Sequence, residues 1–406
     1  MPRKKKIKQE GENVFSMKFD RQIPNTPIVK KTSNGWVSYG RRNDYPDLLL
    51  GLYAQSPTLS ACVNFCTTAL VGNGVDYQAM SIDGSQLMPN YRMDWNTFIR
   101  RCAFDYFLFG NFAIQVIKNR DGKTYSFYYQ PINTVRSGVR DEDGMVTDYY
   151  ICSDWTATSK YPPVEIPSLT MRDDGEWNIK AGEPYLLVPD TYSPLSDYYA
   201  TPIWNSALKS VQAETEFLSY DLKTTSNVFC PAGALSLPPA DSEEQKQAIL
   251  RNIQDMFSGA DGAQQLLISF RSDSEDEPVK FTPFTASSDN VNLFDSANDR
   301  NINRILSTFS IPSRALIGLP LENVGFSSES AILETAFELY NTLKGNESRN
   351  AVIGVINTLF RANGIDTEIV MKPLVFGTTT QTETAGPNTD ISDDNIIEQE
   401  QGDDNQ

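Results

Sequence analysis

Residues 201–227 read TPIWNSALKSVQAETEFLSYDLKTTSN, and their spacing predicts one long helix started by Pro202. Trp204, Leu208, Val211, Leu218 and Leu222 recur along one side of it, and Pro231, Pro238 and Pro239 close it off. A proline in the first turn gives up an N–H that has no intrahelical partner, whereas one past the end cannot continue the ladder. At ~1.5 Å per residue the helix spans roughly 40 Å. A second long helix is expected over about 289–310. Ser287 or Ser288 caps it, Phe294, Ala297, Ile302, Ile305, Leu306 and Phe309 form its buried face, and Pro312 ends it. Between the two lies a small α/β segment. It holds a helix capped by Asp241 or Ser242, with Ala248, Ile249, Ile253 and Phe257 on one face, then strands at Leu266–Phe270 and Val279–Phe284 around the acidic turn Asp273–Glu277. Two long helices flanking a small module make a stiff stalk with a head. One such subunit cannot bury both helix flanks alone, so neighbouring chains must help.

On the N-terminal side, residues 1–30 read as an extended basic arm without periodicity, and a turn-rich segment follows at Ser33–Trp36. Asp44 or Tyr45 precedes a helix with Pro46 in its first turn and Leu48, Leu49 and Leu52 on its buried stripe. Ser56 caps and Pro57 starts a second helix that runs to Gly72-Asn73-Gly74. A third covers 95–109, with Phe98, Cys102, Tyr106 and Phe109 along one side and Gly110 at its end. Two hairpins follow, Phe112–Tyr129 turning at Asn119–Gly122, and Val135–Val139 with Val146–Cys152 across Asp141-Glu142-Asp143-Gly144. The Asp141–Asp143 cluster lacks the spacing and closing Glu of a calcium loop and reads as a turn. Residues 153–198 are turn-rich, with a short strand at Tyr185–Val188.

On the C-terminal side, 312–328 reads as a loop with Gly318, Pro320 and Gly325. Two helices near 328–344 and 346–362 and a closing strand, Ile365–Phe376, come next. Beyond Gly377 the chain carries eight acidic residues and no basic ones, with almost no apolar content, and is expected to be disordered.

Composition narrows the chemistry. With 406 residues, 40% of them hydrophobic, the chain has material for two or three modules with a real core. It contains no histidine, which removes Ser-His-Asp and Cys-His catalysis and most transition-metal sites. There is no phosphate-binding Gly-x-x-x-x-Gly-Lys-Ser/Thr and no Gly-x-Ser-x-Gly elbow. The five cysteines, at 62, 66, 102, 152 and 230, form no disulfide framework, and Cys62 and Cys66 read as a small buried pair. No cofactor and no metal is expected. No stretch approaches the length of a membrane span, and the basic start is followed by Gln9-Glu10-Gly11 instead of an apolar signal core, so the expected setting is a cytoplasm or a particle assembled there. The net charge of −17 argues against gripping DNA by phosphate neutralisation.

The order of these segments resembles the portal proteins of tailed phages over nearly the whole folded chain. Tyr39-Gly40 through Tyr45-Pro46, Leu52-Tyr53 and Ser56-Pro57 resemble the portal N-terminal region. Phe109-Gly110-Asn111-Phe112-Ala113, with Val116 and Asp121-Gly122, is similar to the strand after the early helices, and Gln130-Pro131-Ile132 to a Leu-x-Pro-type turn. Ala200-Thr201-Pro202-Ile203 is similar to the Gly-x-Ser-Pro start of a long helix, with Thr201 in place of Ser. Ile302–Leu316, containing Phe309-Ser310-Ile311-Pro312, resembles the family's Phe-x-Val-Pro segment, and Gly325–Phe337 the helix after it.

The resemblance implies an α+β portal fold and a twelve-fold ring at a capsid vertex, through which genomic DNA is packaged and ejected. The wing is 31–200, the stem helices are 201–228 and 289–311, and the clip is 229–288. A tunnel loop at 312–328 precedes wing and crown helices and a closing strand at 329–376, and the acidic tail is 377–406. Implied channel residues are Leu319, Pro320, Leu321, Glu322, Asn323 and Val324 of the tunnel loop, with Arg300, Arg304 and Arg314 as basic candidates near the channel. The arginines also read as ordinary solvated or ion-paired helix charge. Asp241, Glu243, Glu244, Gln245, Asp273, Glu275 and Asp276 of the clip are the expected contacts to motor and adaptor. Implied partners are copies of the chain, the terminase large subunit, a head–tail adaptor, major capsid and scaffold proteins, and double-stranded DNA passing without sequence specificity. The implied location is the virion, with assembly in the host cytoplasm. Another head–tail ring component is the main alternative, and a carboxylate-based enzyme a remoter one.

Overall fold

The computed structural model describes residues 29–31, 35–84, 87–169, 177, 179–227, 233–237, 242, 244–249, 251, 267–270, 280–283, 288–319 and 326–374. They belong to one unit, Met1–Leu374, and residues 375–406 form a second. The acidic tail, the rest of the basic arm, Pro320–Val324, Asp241, Glu243 and the turn at Asp273–Glu277 lie outside the described residues.

The arm is not wholly without partners. Its end, β1 (Val29–Lys31), pairs antiparallel with β2 (Val37–Tyr39) across the predicted turn. Three helices then build the core of the body. The first, α1 (Tyr45–Gln55), starts on Pro46 as expected, although Asp44 makes no side-chain cap. In α2 (Pro57–Val71), Ser56 caps by accepting from the Leu59 N–H at 3.0 Å. The next helix, α3 (Trp95–Phe109), is capped by Asp94 and ended by Gly110 in the left-handed region. A side chain at Gly110 would also collide with the Thr201 backbone, 2.7 Å from where its Cβ would lie. Glycine there lets the end of α3 touch the start of the long-helix segment. Tyr106, placed on the buried stripe by spacing, is half-buried, and Cys102 and Phe98 are fully buried.

Both predicted hairpins form. β3 (Ala113–Lys118) pairs with β4 (Tyr125–Gln130), and β8 (Pro184–Leu187) adds to the other edge of β3. β5 (Val135–Ser137) pairs with β6 (Asp148–Ile151), and β7 (Val164–Pro167), read as turn-rich from the sequence, completes that sheet. The Asp141–Gly144 segment is a turn, with the Gly144 N–H donating to the Asp141 carbonyl at 3.1 Å. Ala113, Val135, Ile166 and Leu186 join the two sheets in one apolar cluster.

The segment between the long helices contains one strand that the sequence did not signal, β9 (Gly233–Leu237), hidden between prolines. A helix over 244–249, α5, follows, and of the two proposed caps Ser242 serves, accepting from the Gln245 N–H at 3.2 Å. β10 (Leu267–Phe270) lies parallel to β9 and β11 (Lys280–Pro283) antiparallel on its other edge. A parallel pair needs a crossover, and α5 lies in that connection.

Two expectations for the C-terminal region are corrected. The helices near 328–344 and 346–362 are not separate: α7 (Phe326–Tyr340) passes through a π-helical turn, Asn341–Gly345, into α8 (Asn346–Ala362). Gly345 falls between the two expected helices, but a wider turn absorbs the extra residue without ending the helix. The closing strand Ile365–Phe376 reduces, among the described residues, to a single bridge, Val75↔Met371. The Asn73 N–H also reaches the Lys372 carbonyl at 2.9 Å, an approach open because Gly72 has no side chain. The aromatic core formed by Trp95, Phe98, Phe127 and Phe360 ties α3, β4 and α8 together.

Candidate functional site

The long helices are the candidate site. The first, α4 (Leu208–Asn227), begins later than Pro202 predicts. Residues 202–207 are tight turns ending in a 3-10 turn, Asn205–Ala207. Trp204 is fully buried and its indole N–H donates to the Leu108 carbonyl at 3.2 Å, which holds the chain to the end of α3 before the helix starts. The second, α6 (Ser288–Thr308), matches its expected bounds closely. Leu208 and Val211 at the start of α4, and Ile305, Leu306 and Phe309 at the end of α6, are buried together in the body.

Glu214 fixes α4 there. Its carboxylate is buried, accepting from Thr58 Oγ1 at 2.5 Å and from Ser56 Oγ. Both donors sit at the N-terminus of α2, where the helix dipole favours a negative charge. No cation pairs with Glu214 among the described residues. Periodicity alone missed this residue. The readable signal is an acidic residue inside an apolar stripe, with a Ser-Pro-Thr helix start elsewhere in the chain.

Beyond this anchor the apolar seam outruns the body. Leu218 and Leu222 continue the line of Leu208, Val211 and Thr215, yet they are 43% and 68% exposed. A line spaced alternately by three and four residues is a helix-packing seam.

The arginines separate. Arg314 pairs with Asp299 at 3.0 Å and donates to Asn303 Oδ1 at 3.0 Å, so it clamps the turn after α6 back onto that helix. Arg300 and Arg304 are exposed one turn apart, donating to Ser296 Oγ and Asn301 Oδ1 of their own helix. Leu319 is half-buried after the 3-10 turn Arg314–Ile317, whereas Pro320, Leu321, Glu322, Asn323 and Val324 lie outside the described residues. Glu244 and Gln245 are exposed on α5, and Asp273, Glu275 and Asp276 lie outside the described residues. The structure does not bring the loop, arginine and α5 groups together into one cluster of hydrogen bonds or ion pairs among the described residues.

Two buried ionisable groups stiffen the body. Arg136 is fully buried, donating to the Asn43 side chain and carbonyl and to the Asn133 and Val135 carbonyls, with its guanidinium 4.8 Å from the Trp155 ring centre. Asp105 accepts from Tyr129 Oη and the Ile132 N–H, both at 3.0 Å. Burial pushes its carboxyl up to about 7 against those two bonds. The folded chain therefore keeps a proton that the unfolded chain releases. Stability should fall as pH rises from about 4 to 7, by up to about 1.4 kcal/mol per pH unit from this group. Asp105→Asn should flatten that part of a denaturation-versus-pH curve; an unchanged slope would assign it elsewhere.

Among the described residues no three His, Cys, Asp or Glu side chains are grouped to hold a metal, and no helix is long and apolar enough to cross a membrane. Cys62 and Cys66 are buried free thiols, and burial pushes Cys66 up to about 12, far from a reactive thiolate.

Solved structures share this fold. A chain in the virion of a native gene transfer agent particle superposes with TM-score 0.55 at 14% identity, covering 81% of this chain and 83% of its own. A chain in the neck of the native particle, computed with C12 symmetry, gives TM-score 0.56 at 15% identity over 81% and 83%. The protein has the fold of a gene transfer agent neck chain. This bears out the α+β class expected from the sequence. An HK97-family phage portal protein from Corynebacterium diphtheriae aligns over 80% of this chain and 94% of its own, at 12% identity and TM-score 0.31, a superposition too loose to build on. No family model and no curated protein matches the sequence.

Proposed function

We propose that the chain is the repeated subunit of a portal ring, set at the neck of a phage-like particle, through which double-stranded DNA is packaged and ejected. The observation that carries this reading is the seam on α4. Leu218 and Leu222 leave the body uncovered in line with buried residues, as they must if neighbouring subunits cover them. The similarity to a chain in a neck computed with C12 symmetry supports a twelve-fold ring. In this reading α4 and α6 are the stem, the sheet of β9, β10 and β11 with α5 is the clip, and the sheets β4-β3-β8 and β5-β6-β7 with α1–α3 belong to the wing. The net charge of −17 suits a conduit, since a bound phosphate adds salt-dependent friction and a repelled one does not.

The protein acts structurally, not catalytically, with the terminase large subunit docking the clip during packaging and a head–tail adaptor afterwards. Capsid and scaffold proteins surround the wing. Reversing charge at Glu243, Glu244, Asp273 and Asp276 should weaken terminase binding by about tenfold while leaving rings intact. Unchanged affinity in a pull-down titration would move the docking site off the clip. A ring that forms but never binds a packaging motor would point to a different head–tail component. The reading as a whole is tested by imaging the purified protein for rings with a central hole.

A further inference from the structure

The ring reading leaves open which surfaces of adjacent subunits meet, and the charged faces of the two long helices bear on that. Between α1 and α4 runs a groove of about 590 Å³, lined by Asp44, Asp47, Leu48, Gln212, Thr215 and Glu216, and also by Arg41 and Arg42. Glu216 and Asp47 are exposed on its walls. Partial burial pushes the Asp47 carboxyl up, so a cation brought there relieves a charge already short of solvation. No residue of α6 lines this groove. On α6, Arg300 and Arg304 project on the side away from the buried Ile305 and Phe309. Glu216, Arg300 and Arg304 form no ion pair within the chain among the described residues.

Height decides whether these groups can meet. The buried start of α4 and the buried end of α6 pack together, so the two helices leave the body in opposite chain directions. Glu216 lies about one and a half turns beyond Val211, and Arg300 about one and a half turns before Ile305, roughly 7 Å out from the base in each case. Subunits related by pure rotation bring together groups at equal height along the ring axis, and a ring interface joins two different faces of the same chain.

The geometry points to an interface in which Arg300 and Arg304 of one subunit enter the groove between α1 and α4 of the next and pair with Glu216. This rests on the ring reading above, and it moves both arginines from the channel to the subunit boundary. Charge-assisted bonds of this kind set register between neighbours.

Two variants test it. Arg300→Glu with Arg304→Glu makes both faces acidic, and Glu216→Arg makes both basic. Each alone should lose the ring species in native mass spectrometry at low salt, while an equimolar mixture should regain rings with alternating subunits. Rings from either variant alone at the wild-type level, or no recovery on mixing, would overturn the interface. Should the variants fold poorly, Glu216→Cys with Arg300→Cys, the pair at equal height, gives a second route. Oxidation of its rings should produce a covalent ladder that neither single-cysteine variant shows, and rings without a ladder would refute the pairing. Absence of rings from the wild-type protein would instead strike at the ring reading itself.

Discussion

Replacing Glu214 by alanine should lower the stability of the folded chain by about 3 kcal/mol, because two buried hydroxyls lose a charged acceptor at once. Ser56 and Thr58 are both buried and both donate to this carboxylate, so truncation leaves two donors with no water to turn to. The N-terminus of α2 also loses a negative charge placed where its dipole favours one. Glu214→Gln keeps the volume and one acceptor oxygen, and should cost about half as much. The contrast between the two variants separates the hydrogen-bond contribution from the cavity. Chemical denaturation reads both, and an alanine variant within ~0.5 kcal/mol of wild type would show that the carboxylate is not the anchor of α4. A functional consequence follows from position. Glu214 sits where α4 leaves the body, so the variant should hold its long helix less rigidly, seen as faster amide exchange along α4.

Deleting Leu319–Val324 should leave rings assembled and drop packaged DNA to the level of particles without a working portal. The segment follows the 3-10 turn Arg314–Ile317 and precedes α7, and Arg314 ties its N-terminal end to α6 through Asp299. A segment tied at one end to the long helix can transmit that helix's motion, and connections carried on a rigid scaffold are where partners are commonly contacted. The deletion spares the buried end of α6 and the whole of α4, so assembly should survive. Nuclease-protected DNA per particle is the readout. Normal packaging would reduce the segment to a plain connection between helices.

Much of the architecture was legible because local rules agree with the fold. Ser56-Pro57 and Gly110 mark their helix boundaries through capping chemistry that acts within a turn. The Asp-Gly turns set the hairpins in the same way. Errors fall where a long-range contact overrides a local preference. Pro202 can start a helix, but Trp204 is held to Leu108 and α4 begins only at Leu208. The run after Ile365 is apolar enough for a strand, but what it meets is the Gly72–Asp76 turn, which supplies only one bridge. β9 lies between prolines that a propensity reading treats as breaks, and its pairing comes from β10 and β11 far along the chain. The site was half visible. The arginines and the seam follow from spacing, but Glu214 depends on partners more than 150 residues away. That Leu218 and Leu222 stay exposed follows from where the body ends, which no helical periodicity encodes.

The central claim is that these exposed seams are covered by copies of the same chain arranged around a hole. Electron microscopy of the purified protein tests it most directly. Closed rings with a central channel, twelve-fold when averaged without imposed symmetry, are the expected result. A monomer that persists at high concentration, with Leu218 and Leu222 still open to solvent, would contradict it.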